Sequence, residues 1–205
     1  MSLPLPPVGD DLADFPALVW RAQQPLSRIH RHTNATVYFS ADGSGRFDPP
    51  AGETGWGTCY LSTHPRGAFA AVFGRFRAIT TRMLDDRVLA SVYLASDARL
   101  ADLTDPAVLG RWGLTGAMSA GTDVVYPVTQ AWAVRLHGAG YAGVYYAASH
   151  DPQLHSRSVA LFGKPADPDT DPADTLNVSA QALRGPLVDD LAAGFGYVIT
   201  GDRPL

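Results

Sequence analysis

GTCYLSTHPRGAFAAVFGRF, residues 57–76, changes its periodicity halfway along. GTCYLS (57–62) is a β-rich run ended by Thr63 and His64. Pro65 then suits the first turn of a helix, where a missing N–H costs nothing. The spacing predicts a helix from Pro65 to about Phe76, so the stretch reads as strand, turn and helix in direct succession. Toward the C-terminus, RVLASVYLA (87–95) alternates as a strand and 106–112 suits a short helix. VVYPVTQAWAVRLH (124–137) has helical spacing from Val128 onward, closed by Gly138 and Gly140. GVYYAA (143–148) and SVALF (158–162) are β-rich runs joined by a polar loop, as adjacent strands of a partly buried sheet would be.

At the other end, a proline-rich arm (1–11) leads to FPALVWR (15–21), a first strand or short helix at which order is expected to begin. Residues 25–51 are polar and read mostly as loop, with one alternating strand candidate, ATVYFS (35–40). KPADPDTDPADT (164–175) reads as a surface linker. Beyond it, 185–193 suits a short helix and FGYVIT (195–200) a last strand docked at a sheet edge. No internal repeat is present, and the series lacks the regular βαβ alternation of a doubly wound sheet. The expectation is an α+β fold: a flexible arm at 1–14, one domain at 15–163, and a linker with a C-terminal extension packed on the same domain at 164–205.

The 205 residues are 46% hydrophobic and 18% charged, which suits one soluble globular domain. A net charge of -4 argues against a nucleic-acid partner, because binding the phosphate backbone rests on clustered Lys and Arg. The single cysteine, Cys59, has no internal partner and lies in a strand-like run, where it reads as a small buried apolar residue. No stretch approaches the roughly 18 apolar residues of a membrane span, and the first 14 residues lack the pattern of a signal peptide. A cytoplasmic protein is expected, or an effector exported without a cleavable signal, with no membrane partner.

No Walker A sequence, G-x-G-x-x-G after a strand, G-x-S-x-G or H-E-x-x-H is present. His30 with His32, and His150 with Asp151 and His155, lack the spacing and partners of a metal site and read as solvated loop residues. Three segments are more unusual. Arg21 ends an apolar run and needs an anionic partner. In GSGRFDPP (43–50), glycines around Arg46 would let its guanidinium approach a ligand, with Phe47 beside it for stacking. Tyr60 stands on the strand before the Pro65 helix. The plain alternatives are an internal salt bridge for Arg21, a turn for Arg46 and core packing for Tyr60.

Taken together these segments resemble the RES domain, named for a conserved arginine, glutamate and serine. The matching order is VWR (19–21), GRFDPP (45–50), YLSTHPRGAFAAVFGRF (60–76), TQAWAVRLHGAGYAGVYYAAS (129–149) and SVALF (158–162), which covers about residues 17–163. The resemblance implies a fold related to ADP-ribosyltransferases. It also implies NAD as substrate, cleaved at the nicotinamide–ribose bond by hydrolysis or phosphorolysis, with no resident cofactor or metal. Many members are toxins held inactive by an antitoxin with a helix-turn-helix domain; an exported effector would have an immunity protein instead. Carried over, Arg21 and Arg46 would hold the pyrophosphate through guanidinium forks. Tyr60 would pack on nicotinamide or its ribose, and Ser149 would hydrogen-bond the amide or ribose.

Cleavage passes through an oxocarbenium-like state that a carboxylate stabilises. In the family's pattern that glutamate falls eleven residues after the tyrosine, and eleven after Tyr60 is Ala71. Three explanations compete: a deliberate Glu-to-Ala change that lets a toxic protein be expressed, a natural pseudoenzyme, or another carboxylate, such as Glu53 or Asp48, in the same role. The activity expected is that of an NAD-degrading toxin, disabled or not. The alternatives are a non-catalytic module that binds NAD, ADP-ribose or a protein, and an ADP-ribosyltransferase.

Overall fold

The computed structural model describes residues 3–9, 12–53, 55–165 and 176–201. In chain order the elements are β1 (Ala17–Trp20), β2 (Pro25–Arg31), β3 (Gly57–Ser62), α1 (Pro65–Phe73), β4 (Ile79–Thr80), α2 (Thr81–Asp85), β5 (Arg87–Leu94) and β6 (Ala98–Asp102). Then come α3 (Ala107–Trp112), α4 (Ala117–Ala120), α5 (Tyr126–Gly138), β7 (Gly143–Ala147), β8 (Arg157–Gly163), β9 (Leu176–Ala182), α6 (Pro186–Gly194) and β10 (Ile199–Thr200). Eight strands form one mixed sheet in the order β1-β6-β7-β8-β3-β2-β5-β9, flanked by helices, so the fold is α+β. Its one parallel pair among the described residues, β6 with β7, requires a long crossover, which the α3–α5 segment supplies.

The strand, turn and helix at 57–76 fold as the sequence predicts. His64 caps α1 by accepting a hydrogen bond from the Arg66 N–H, and Pro65 occupies the first turn. Alternation along β3 then sends its residues to opposite faces. Cys59 and Leu61 join Val159, Leu161 and Val92 in one core cluster. Tyr60 faces the other side, which carries two separate clusters. One lies beneath α5, where Trp132 and Leu136 meet Val144 and Phe162. The second lies beneath α1 and α6, where Phe69, Phe73, Val188 and Leu191 meet Ile29 and Leu89.

Between those two clusters a row of hydroxyls crosses four strands. Register pairs Ser27 with Ser62, Ser62 with Ser158, and Ser158 with Tyr146. All four residues are buried, at 3–8% exposure.

Several expectations need correction. Residues 25–31 form β2 and not loop, whereas 35–40 make only a single bridge, Ser40 to Thr58. FGYVIT does not reach the main sheet. Only Ile199 and Thr200 are extended, paired in parallel with β4 in a small second sheet, and the main sheet's edge is taken by β9. At the N-terminus, Leu3 already packs against the core beneath α5, the Trp132 indole N–H donates to the Pro4 carbonyl, and Leu12 is 1% exposed. The linker expected at 164–175 lies, from residue 166 on, outside the described residues, as do residues 1, 2, 10 and 11 of the arm. No described helix is long and apolar enough to cross a membrane.

Truncation before Lys164 would strip β9 from β5 and α6 from α1. Burial of Val188 and Leu191 alone contributes about 1.5–3 kcal/mol each. The 1–163 chain is therefore expected to aggregate or to melt without cooperativity. A soluble 1–163 chain with one sharp calorimetric transition would show that the extension is dispensable.

Candidate functional site

The hydroxyl row is the floor of a cleft between α1 and α5. Two adjoining cavities, of about 290 and 190 Å³, share Tyr60, Ala71, Tyr146 and Ser158. One wall is a helical stripe of α1, at Ala68, Ala71 and Val72, continued by Arg75 just beyond the helix. Gly45, Arg46 and Tyr126 form the opposite wall, and the 148–150 turn after β7 closes the end with Ser149 and His150.

Side chains of α5 and β3 hold the loop that carries Arg46. The Gln130 amide donates to the Gly43 and Gly45 carbonyls at 2.8 and 2.9 Å, and the Thr129 hydroxyl donates to the Arg46 carbonyl. Thr58 donates to the Phe47 carbonyl, and the Phe47 N–H donates to the Tyr60 hydroxyl, each at 2.8 Å. Tyr60 in turn donates to Asp48 Oδ1 at 2.8 Å, while the Gly45 N–H donates to Oδ2 at 2.7 Å. Gly45 has to be glycine, since a Cβ there would lie 2.5 Å from the Tyr60 hydroxyl and 2.6 Å from Asp48.

Arg46 is 8% exposed. Its guanidinium donates to the carbonyls of Met118, at 3.3 Å, and Gly121, at 2.6 Å, and lies 5.1 Å from the centre of the Tyr126 ring. Among the described residues no carboxylate pairs with it, and neither cavity is lined by Asp or Glu. Burial pushes Asp48 above the usual carboxylate range against its two hydrogen bonds. Burial also raises Tyr60, helped by the Asp48 charge, and raises Tyr146 to about 12, so both phenols stay protonated at neutral pH. Burial, with the charges of Arg75 and Arg46, lowers His150 and leaves a neutral imidazole at the cleft's end.

Of the residues singled out in the sequence, Arg46, Tyr60, Ala71 and Ser149 come together here. Arg21 and Phe47 do not. Arg21 is an exposed residue paired with Asp97 at 2.6 Å, so its anionic partner is internal. Phe47 is fully buried edge-to-face against Tyr146, with ring centroids 5.0 Å apart, and offers no face to a ligand. Glu53 is exposed on a turn and Asp48 sits behind Tyr60, so neither alternative carboxylate lines the cleft. Asp151 organises its own turn, accepting from the N–H groups of Gln153 and Ser156 and from the Ser156 hydroxyl. Among the described residues no three His, Cys, Asp or Glu side chains gather as a metal site would require.

Sequence reading missed Arg75, Tyr126, Tyr146 and the three serines of the floor. The serines had a signal: Ser27, Ser62 and Ser158 occupy buried strand positions where an apolar residue would be ordinary.

The family model for the RES domain matches residues 18–181. A chain in the crystal structure of the M. tuberculosis MbcT-MbcA toxin-antitoxin complex is similar in fold, with a TM-score of 0.60 and 19% identity over 86% of this chain and 92% of that one. No curated protein sequence matches. With a family model that runs through the main sheet from β1 into β9, the chain belongs to the RES domain family.

Proposed function

We propose that the cleft binds NAD, and that the chain is a toxin-type RES protein built to cleave the nicotinamide–ribose bond. The observation that carries this reading is Arg46, a buried guanidinium with no carboxylate partner among the described residues, opening on a cleft that no acid lines. A buried unpaired cation is costly unless an anion completes it, and a guanidinium fork matches phosphate oxygens. Such a cleft in a protein of net charge -4 selects for an anionic ligand through its local chemistry and not through overall charge.

In this reading Arg46 takes the pyrophosphate. Tyr60, Ser149 and the hydroxyls of Ser62, Ser158 and Tyr146 face the ribose and the nicotinamide amide. As positive charge develops on the ribose, the group that would stabilise it belongs on the α1 wall, where Ala71 stands. Water, phosphate or a protein side chain would accept the ADP-ribosyl group. The likeness in fold to a chain of a toxin-antitoxin complex supports a protein antitoxin as partner.

A second reading, binding without turnover, is favoured by the lack of any acid among the cleft's lining residues. Calorimetry of the chain with NAD and with ADP-ribose tests what both readings share. Saturable binding at a single site is expected, and heats no larger than dilution for both ligands would exclude either reading.

A further inference from the structure

We propose that Arg75 is a second phosphate anchor of the cleft, held in place by a C-terminal clamp in which Tyr197 is the positioning residue; this rests on reading the cleft as a dinucleotide site. Arg75 lies past the end of α1, in the link between Gly74 and β4, and lines the cleft on the wall facing Arg46. Among the described residues no carboxylate pairs with it. A cation on each wall is what a ligand with two linked phosphates would engage, one guanidinium to each group.

A link beyond a helix end is ordinarily loose, because the last carbonyls of a helix lack partners within it. Here the Phe73 carbonyl that ends α1 accepts from the Phe76 N–H, and the segment after β9 adds a hydroxyl at the same link. The Tyr197 hydroxyl stands 2.8 Å from the Phe73 carbonyl and 2.9 Å from the Phe76 carbonyl, bracketing Arg75. Two residues further on, Ile199 pairs with Ile79, which fixes the far end of the link. Phe195 seats the clamp on α1: its ring is stacked on Phe69 at 6.1 Å, and the Arg66 guanidinium lies 4.0 Å from its centre. On the other side, Gly74 packs against the 148–150 turn so closely that a Cβ would lie 2.9 Å from the His150 Cβ. The match to the RES family ends at residue 181, so α6, Tyr197 and β10 grip a cleft wall from outside the matched region.

The test is calorimetry with ADP-ribose and with adenosine, which lacks phosphate, on the full chain. Arg75→Ala is expected to weaken ADP-ribose binding about 10- to 100-fold, the usual yield of charge-assisted hydrogen bonds, and to leave adenosine unchanged. Tyr197→Phe keeps the ring and its packing, and near-ultraviolet circular dichroism verifies the fold. It is expected to weaken ADP-ribose binding about three- to tenfold in the parent chain, and to have no further effect in Arg75→Ala, because the hydroxyl acts through that guanidinium.

Two results would overturn the proposal while leaving the dinucleotide reading standing: undiminished ADP-ribose binding by Arg75→Ala, or a Tyr197→Phe loss of the same size in both backgrounds. If the parent chain binds no ADP-ribose, the dinucleotide reading fails first and takes the anchor with it.

Discussion

Ala71→Glu is expected to raise the rate of NAD consumption by about 10²- to 10⁴-fold over the parent chain, the range a well-placed carboxylate contributes to such a reaction. Position 71 is exposed on the cleft-facing stripe of α1, so a longer side chain meets solvent and ligand and not the core. Glutamate is a good helix former and carries little intrinsic cost there. Arg75 lies just beyond the end of α1 on the same wall, where its charge would attract the new carboxylate. The assay is NAD loss with product mass, run with and without phosphate. A rise in rate marks Ala71 as the disabled catalytic position, and the product, ADP-ribose or its 1-phosphate, identifies the acceptor. If Ala71→Glu binds NAD yet consumes none, cleavage is not what this cleft does, and the chain is a nucleotide-binding relative.

Arg46→Ala is the second large effect. Removing one side of a buried, hydrogen-bonded charge pair costs about 2–5 kcal/mol, so affinity for NAD or ADP-ribose is expected to fall by at least about 30-fold. The carbonyls of Met118 and Gly121 also lose their donor, and a loss of about 1–3 kcal/mol in stability should accompany it. Arg46→Lys separates the two roles: it keeps the charge but lacks the fork, and an intermediate affinity is expected. Titration calorimetry and thermal melting together measure both. Unchanged ADP-ribose affinity in Arg46→Ala, with only a lower melting temperature, would make the guanidinium a brace for α4 and remove the anion from the argument.

The elements that were legible in the sequence are those whose burial is one-sided or whose caps are explicit. Pro65 and His64 announced α1, Gly138 and Gly140 closed α5, and β3, β7 and β8 carry dense β-rich runs. β2 was hidden because its two large apolar residues serve different cores: Leu26 packs on one face and Ile29 on the other, an odd spacing that breaks the period of two. ATVYFS misled for the opposite reason. Val37 and Phe39 do alternate and are buried, but the Thr36 carbonyl is taken by the Arg28 guanidinium and the segment never gains a ladder.

The cleft was legible where segments match the family's order, at Arg46, Tyr60, Ala71 and Ser149. Arg21 and Phe47 stand equally well in that order and still miss the cleft, because order along the chain says nothing of which face a side chain takes. Arg75 and Tyr197 carry no local signal, since their proximity depends on a tail that returns to α1 more than a hundred residues later.

The loop at 43–48 has its backbone polar groups fastened by Thr58, Tyr60, Asp48, Thr129 and Gln130. Conformational freedom in this stretch is therefore surrendered when the chain folds, not when a ligand arrives. An incoming anion gives up only its own motion and its water, and the favourable enthalpy of its contacts is not spent on freezing the polypeptide that receives it. In the proposed reading, recognition at this wall would be that of a rigid socket.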